Sequence, residues 1–235
     1  EVVPSTSQVN EYTFINMYSH LASHYDAIIA LHLTGQFSGT YANSVKAARR
    51  IEKEFGKPVH VFDSRNLSGA LGLMVLKTAM EIEAGSSFET IIARLEEWRD
   101  NARIFVSVKN LKYMIRGGRV SGPKGMIAKA LGLNPVISMN KEGKSILFGK
   151  TFSQKASLEK IFRHIEKLIS GDKVWNYIIL HAQNPEGALL AKQRLEHIIG
   201  KGPVSVVNIS PVIGMHAGQG AIAIAVLNEK ETAHA

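Results

Sequence analysis

The sequence predicts an α/β chain built from two unlike halves, on three observations. As far as about residue 101, short apolar runs alternate with amphipathic segments, the grammar of a parallel sheet with crossover helices. Further on, Val136 to Met139 and Ile146 to Lys150 flank a Lys141-Glu142-Gly143-Lys144 turn, which reads as an antiparallel hairpin. The last third adds further strands and helices in the order of an α+β unit with a mixed or antiparallel sheet. The expected division is therefore 1–101, an α/β domain, and 102–235, an α+β domain.

Taken in order, a helix is expected from Glu11 to Tyr25. Ala27 to Leu33 is an apolar run ending in a Thr-Gly turn, as in a parallel strand buried on both faces. Tyr41 to Phe55 carries Val45, Ala48, Ile51 and Phe55 at helical spacing and stops at Gly56, a suitable C′ residue. Val59 to Phe62 is the next strand. Helices over 68–83 and 87–101 follow, the second with a Ser87 cap. Then come a strand at 104–108, a short helix at 111–115, a glycine-rich turn at 117–123, and a helix ending near Gly132. After the hairpin come a helix from Ser157 to Ile169, a strand from Trp175 to Leu180, a helix from Pro185 to Ile199, and strands from Val204 to Ile209 and from Ala221 to Val226.

Composition narrows the function. A 45% hydrophobic content is ample for a core, and the longest apolar stretch, near Ala221 to Leu227, is far short of the roughly 20 residues that span a bilayer. No integral membrane association is expected. The start of the chain has no basic patch followed by an apolar run, so no secretory leader is expected. The absence of cysteine fits a cytoplasmic protein and removes thiolate metal sites. A net charge of +8 attracts acidic partners, but the cations are dispersed, as along Lys46, Arg49, Arg50, Lys53 and Lys57, without a nucleic-acid motif. That cluster reads as a solvated helix face, and nucleic acid is not expected as a partner.

Chemistry points to three loops. Ligands of open parallel sheets collect beyond the carboxyl ends of the strands, where Thr34, Ser38 and Thr40 stand. Gly35 and Gly39 let backbone N–H groups approach a guest, and the following helix adds the positive end of its dipole. An anion suits this site, although Ser38 and Thr40 also suit a helix cap. Thr6, Ser7 and Gln8 are open to the same two readings before the first helix. His216, in a glycine-rich loop, is placed to donate to a carboxylate or to serve structure alone. Ser38 is not in a Gly-x-Ser-x-Gly elbow, the histidines have no H-E-x-x-H spacing, and neither a metal nor a cofactor is expected. Arg119, held by Gly117-Gly118, suits a phosphate or a partner's carboxylate.

These motifs together resemble those of the DegV proteins, bacterial fatty-acid-binding proteins of the EDD fold. The matching segments are Thr6-Ser7-Gln8, Phe37-Ser38-Gly39-Thr40-Tyr41, Val61-Phe62-Asp63-Ser64, Gly117-Gly118-Arg119-Val120-Ser121, Asn134-Pro135-Val136 and Gly214 to Gly220. They occur in family order and cover nearly the whole chain. The resemblance implies a two-domain EDD (DegV-like) fold with one long-chain fatty acid buried between the domains. It implies that Thr6, Ser38 and His216 hold the carboxylate directly or through water, beside Ser7, Gly39 and Thr40. Arg119 would lie where a fatty acid kinase docks to form the acyl phosphate, and the chain itself would not be a catalyst. The rival expectation is an enzyme, a phosphotransferase or hydrolase acting on a small anion at the same loops. Two departures stand out. Relatives normally begin with a further segment carrying a first strand, so here that strand is either removed or supplied by another chain. Many relatives also have Lys-x-Arg where this chain has Lys150-Thr151-Phe152, a change that bears on kinase docking more than on lipid binding.

Overall fold

The computed structural model describes residues 4–120, 132–171 and 173–229. In chain order the elements are α1 (Glu11–His24), β1 (Ile28–His32), α2 (Thr40–Phe55), β2 (Val59–Asp63), α3 (Ser68–Glu83), α4 (Phe88–Asn101), β3 (Ala102–Ser107), α5 (Lys112–Arg116), β4 (Asn134–Met139), β5 (Ser145–Thr151), α6 (Gln154–Leu168), β6 (Lys173–His181), α7 (Pro185–Ile199), β7 (Ser205–Asn208), α8 (Pro211–Ala217) and β8 (Ile222–Glu229). The helix expected to end near Gly132 falls on 121–131, outside the described residues.

Among the described residues there are two sheets. β1 and β2 pair in parallel from Ile28↔Val59 to His32↔Asp63, as the strand-helix-strand grammar requires. The larger sheet runs β5-β4-β3-β8-β6-β7, with only β6–β7 parallel, so the α/β class and the mixed second sheet hold. The predicted hairpin is the β4–β5 pair, with a register shift between Val136 and Ile137.

β8 explains the layering. Ile222 to Asn228 are all buried, and its side chains alternate between two different cores. Ile222, Ile224 and Val226 pack with Ile161, Ile165, Ala188 and Leu195 of α6 and α7. Ala223, Ala225 and Leu227 pack with Ala70, Leu73, Met74, Leu95 and Trp98 of α3 and α4. The small residues of the second face let α3 come close. A Cβ at Gly69 would stand 2.7 Å from Leu180 Cδ1 and 2.8 Å from Ala225 Cβ. Farther along α3, the Lys77 ammonium is buried. It pairs with Glu229 and lies 4.5 Å from the ring centroid of Trp175 and 5.6 Å from that of Trp98.

Three sequence expectations need correction. β1 is not buried on both faces: Ile28 is buried, while Ile29 to His32 are half-buried. α1 and α2 cover one side through Tyr18, Ala47, Ala48 and Ile51, and Ile29 and Leu31 pack on the α3 and α4 core on the other. Among the described residues, however, β1 has a strand neighbour on one edge only, and its end opens toward a cavity. α6 begins three residues before Ser157, because Ser153 caps it by accepting from Ala156 N at 3.1 Å. His216 is not in a loop but in the last turn of α8, which starts with Pro211 at its first turn and stops at Gly218.

Gly69 and Gly72 lie on one helix in opposite circumstances, since a Cβ at Gly72 would meet only Ile178 Cδ1 at an ordinary 3.8 Å. Gly69→Ala is expected to destabilise by about 1–3 kcal/mol through overpacking. Gly72→Ala is expected to stabilise by up to about 1 kcal/mol. Urea denaturation midpoints that move in the same direction for both would contradict this packing.

Candidate functional site

A cavity of about 800 Å³ opens between the β1 end, the start of α3 and the larger sheet. Leu33, Leu67, Ile104, Val106, Leu180 and Ala223 form much of its apolar wall. Of the residues singled out from sequence, Thr6, Ser7, Gln8, Gly35, Ser38, Gly39, Thr40, Arg119 and His216 line it. Thr34 does not: its hydroxyl is buried and donates to the carbonyl of Gly143 at 2.9 Å.

The capping question for residues 6–8 has a direct answer. Asn10 caps α1, accepting from Thr13 N at 2.9 Å, so the hydroxyls of Thr6 and Ser7 are not needed there. The segment is instead stitched to α2. Val9 N donates to Thr40 Oγ1 at 3.2 Å, and Asn43 Nδ2 donates to Val9 O at 2.8 Å. Gln8 packs on Gly39, where a Cβ would fall 1.8 Å from its Oε1. Ser38 and Thr40 face each other with their hydroxyl oxygens 2.8 Å apart, and Ser38 Oγ also accepts from Thr40 N. α2 has no side chain bonded as an N-cap, so the positive end of its dipole stands at this wall.

The opposite side is built around His216. Tyr113 and Met114 of α5 end in a turn in which Gly117 N donates to Tyr113 O and Arg119 N to Met114 O. The turn passes so close to the imidazole that a Cβ at Gly117 would lie 2.1 Å from His216 Nδ1. Gly118 then takes a left-handed φ of 68°, and Arg119 follows. Its guanidinium donates through Nε to Phe37 O at 3.3 Å and through Nη1 to Gly117 O at 2.5 Å. One arginine thus ties the His216 side of the cavity to the Ser38 side. Burial first, and the neighbouring Arg119 charge second, push the His216 imidazole below its ordinary pKa, so it is neutral at pH 7. A cavity lined by the Arg119 guanidinium, the neutral His216 imidazole, the hydroxyls of Thr6, Ser7, Ser38 and Thr40 and a helix start suits an anion with an apolar body.

Two further lining residues escaped the sequence reading. His181 closes β6, and its Nδ1 accepts from Asn184 N at 3.2 Å, leaving the proton on Nε2. The strand-end rule that found Ser38 applies equally here, because β6 is parallel to β7. Ser68 starts α3 at φ 50°, an uncommon left-handed conformation for a residue with a side chain. Sequence carries no signal for that.

Comparison with known proteins fits this geometry. The profile of the DegV family, described as an uncharacterised protein family, matches residues 1–229. The chain belongs to the DegV family. A DegV domain-containing protein of Staphylococcus aureus is 28% identical over 224 residues, covering 95% of this chain and 78% of that protein. Among solved structures, a DegV family protein of Thermus thermophilus described by its fatty acid binding superposes with a TM-score of 0.85 at 28% identity, over 96% of this chain and 79% of that one. DegV of Bacillus subtilis, described as a fatty acid binding protein, gives 0.84 at 28% identity, over 97% and 79%. No helix among the described residues of this DegV chain is long and apolar enough to cross a membrane.

The His216 environment sets a pH dependence. Its folded pKa is lowered, as are those of His32, His60 and His164, in each case chiefly by burial. The unfolded chain therefore binds protons first as pH falls below the ordinary histidine value of 6.5, and stability should fall there. Denaturation midpoints that hold steady or rise between about pH 7 and pH 5 would contradict this. By NMR, His216 should titrate below 6.5, and Arg119→Gln should raise its pKa only in part, because burial is the larger cause.

Proposed function

We propose that this chain binds one long-chain fatty acid in the cavity and presents its carboxylate to a fatty acid kinase, which forms the acyl phosphate. The carboxylate lies against Thr6, Ser7, Ser38, Gly39, Thr40 and His216. Arg119 marks the edge where the kinase docks. The observation that carries this reading is a single cavity with an apolar wall and a cluster of small donors at one side. Relatives described as fatty acid binding support it.

The physical balance favours such a guest. Each methylene taken out of water contributes about 0.8 kcal/mol, so a long chain is held mainly by the wall formed by Leu33, Leu67, Val106 and Leu180. The donors then fix which end sits where. A neutral imidazole offers one N–H without leaving a buried charge when the site is empty, while the Arg119 guanidinium supplies the positive potential. The protein acts in this reading as a carrier in the cytoplasm and not as an enzyme. Ser38 Oγ meets the hydroxyl and amide of Thr40 and no imidazole among the described residues, so it is not arranged as a nucleophile with its base.

Native mass spectrometry of the purified protein, with organic extraction of whatever lipid accompanies it, is expected to show one fatty acid per chain. Ser38→Ala and His216→Ala should each weaken fatty acid affinity about tenfold to a hundredfold, the cost of one hydrogen bond to a charged group. Protein that carries no lipid and takes up neither palmitate nor oleate would refute the proposal. Turnover of a small phosphorylated or ester substrate, lost in the same variants, would favour the enzyme instead.

A further inference from the structure

Two histidines of α1 take no part in the cavity. His20 and His24 are both exposed and stand one helical turn apart, so they share one face of the helix. Their ring centroids are 4.6 Å apart. A metal ion held by two imidazole nitrogens, each at about 2.0–2.1 Å, needs the rings about this close. Neither histidine makes an ion pair among the described residues.

A second observation fixes which atom of His24 faces outward. Its Nδ1 lies 2.8 Å from the His20 carbonyl oxygen, and a carbonyl can only accept, so Nδ1 carries the proton. Ser23 Oγ donates to the same carbonyl at 2.7 Å and stands 2.9 Å from Nδ1, which closes a small network around the ring. The lone pair of His24 is therefore left on Nε2. An imidazole whose Nδ1–H is held by a backbone carbonyl has the tautomer and the fixed orientation of a metal-ligating histidine.

We propose that His20 and His24 chelate one divalent transition-metal ion, Cu(II) more tightly than Zn(II). Imidazole suits these metals, and affinity rises toward copper in the ordinary order of the series. Magnesium and calcium seek oxygen ligands and are excluded. Once one imidazole has bound, the other binds intramolecularly at a high effective concentration. Both residues lie in the last turn of α1, where the negative end of the helix dipole favours a cation. No group of three or more His, Cys, Asp or Glu stands together among the described residues, so water fills the remaining positions. The segment is His20-Leu21-Ala22-Ser23-His24, without the glutamate base of H-E-x-x-H. The expectation that no metal binds rested partly on that motif, which a two-histidine chelate does not need. The ion staples the end of a helix seated against α2 through Tyr18 and Ala22. His24 is about 20 Å along the helix from Val9 at the cavity, so the two sites are separate.

The test is calorimetric titration of the full chain with Cu(II), Zn(II) and magnesium, joined to electron paramagnetic resonance of the copper adduct. One equivalent of Cu(II) should bind, Zn(II) should bind more weakly, and magnesium should give no heat. The copper spectrum should show two coordinated nitrogens. His20→Gln and His24→Gln should each reduce these to one and weaken affinity about tenfold or more. Zn(II) should raise the urea midpoint of the unaltered chain and of neither variant. Both positions are exposed, so the variants keep the fold. Absence of copper and zinc binding overturns the proposal, and so does binding that either variant leaves unchanged or a spectrum with a single nitrogen in the unaltered chain. Fatty acid uptake should be the same with and without metal, so failure here is separable from failure of the carrier reading.

Discussion

The burial of β8 on both faces is the constraint from which the rest follows. A strand hidden along seven consecutive residues needs a helical layer on each side and a neighbour on each edge. α6 and α7 supply one layer, α3 and α4 the other, and β3 and β6 the edges. The choice of alanines on the α3 side and of branched residues on the other sets how near each layer comes. Just before β8, Gly220 N donates to Ala182 O at 2.7 Å, and the Gly220 carbonyl accepts from Gln154 Nε2 and Asn184 Nδ2. The strand is thereby anchored where α8 ends, and the position of His216 is inherited from that anchor.

The site is assembled by close approaches that only glycine permits. Gly39 receives the Gln8 side chain, Gly117 receives the His216 ring, and Gly218 lies against the Tyr113 ring with a φ of 79°. Each approach joins segments far apart in sequence, so the cavity wall is held by tertiary packing more than by any one element. Arg119 completes the link across the cavity through the Phe37 carbonyl.

Much of this was legible in the sequence, for identifiable reasons. Helices with strong periodicity and a clear stop, such as the one ending at Gly56, were read within a residue of their observed ends. The β4–β5 hairpin was legible from its turn. The candidate polar residues were legible because hydroxyls and glycines stand together after strand ends. The unread parts depend on distance in space. Nothing local told that Asn10 would take the capping role, that Thr34 would be spent on Gly143, or that β1 would be only half-buried. The α8 helix was masked by glycines on both sides of His216, although Pro211 was a usable start signal.

The burial of Lys77 has a practical corollary. Trp98 and Trp175 are the two tryptophans of the chain, and both flank that single ammonium group on the α3 side of the sheet. Intrinsic fluorescence of this protein is therefore a local gauge, sensitive to the seating of α3 against α4 and to the ion pair with Glu229. The same helix reaches the cavity, because its first residue, Ser68, forms part of the cavity wall, so a ligand that shifts α3 is read out in the emission.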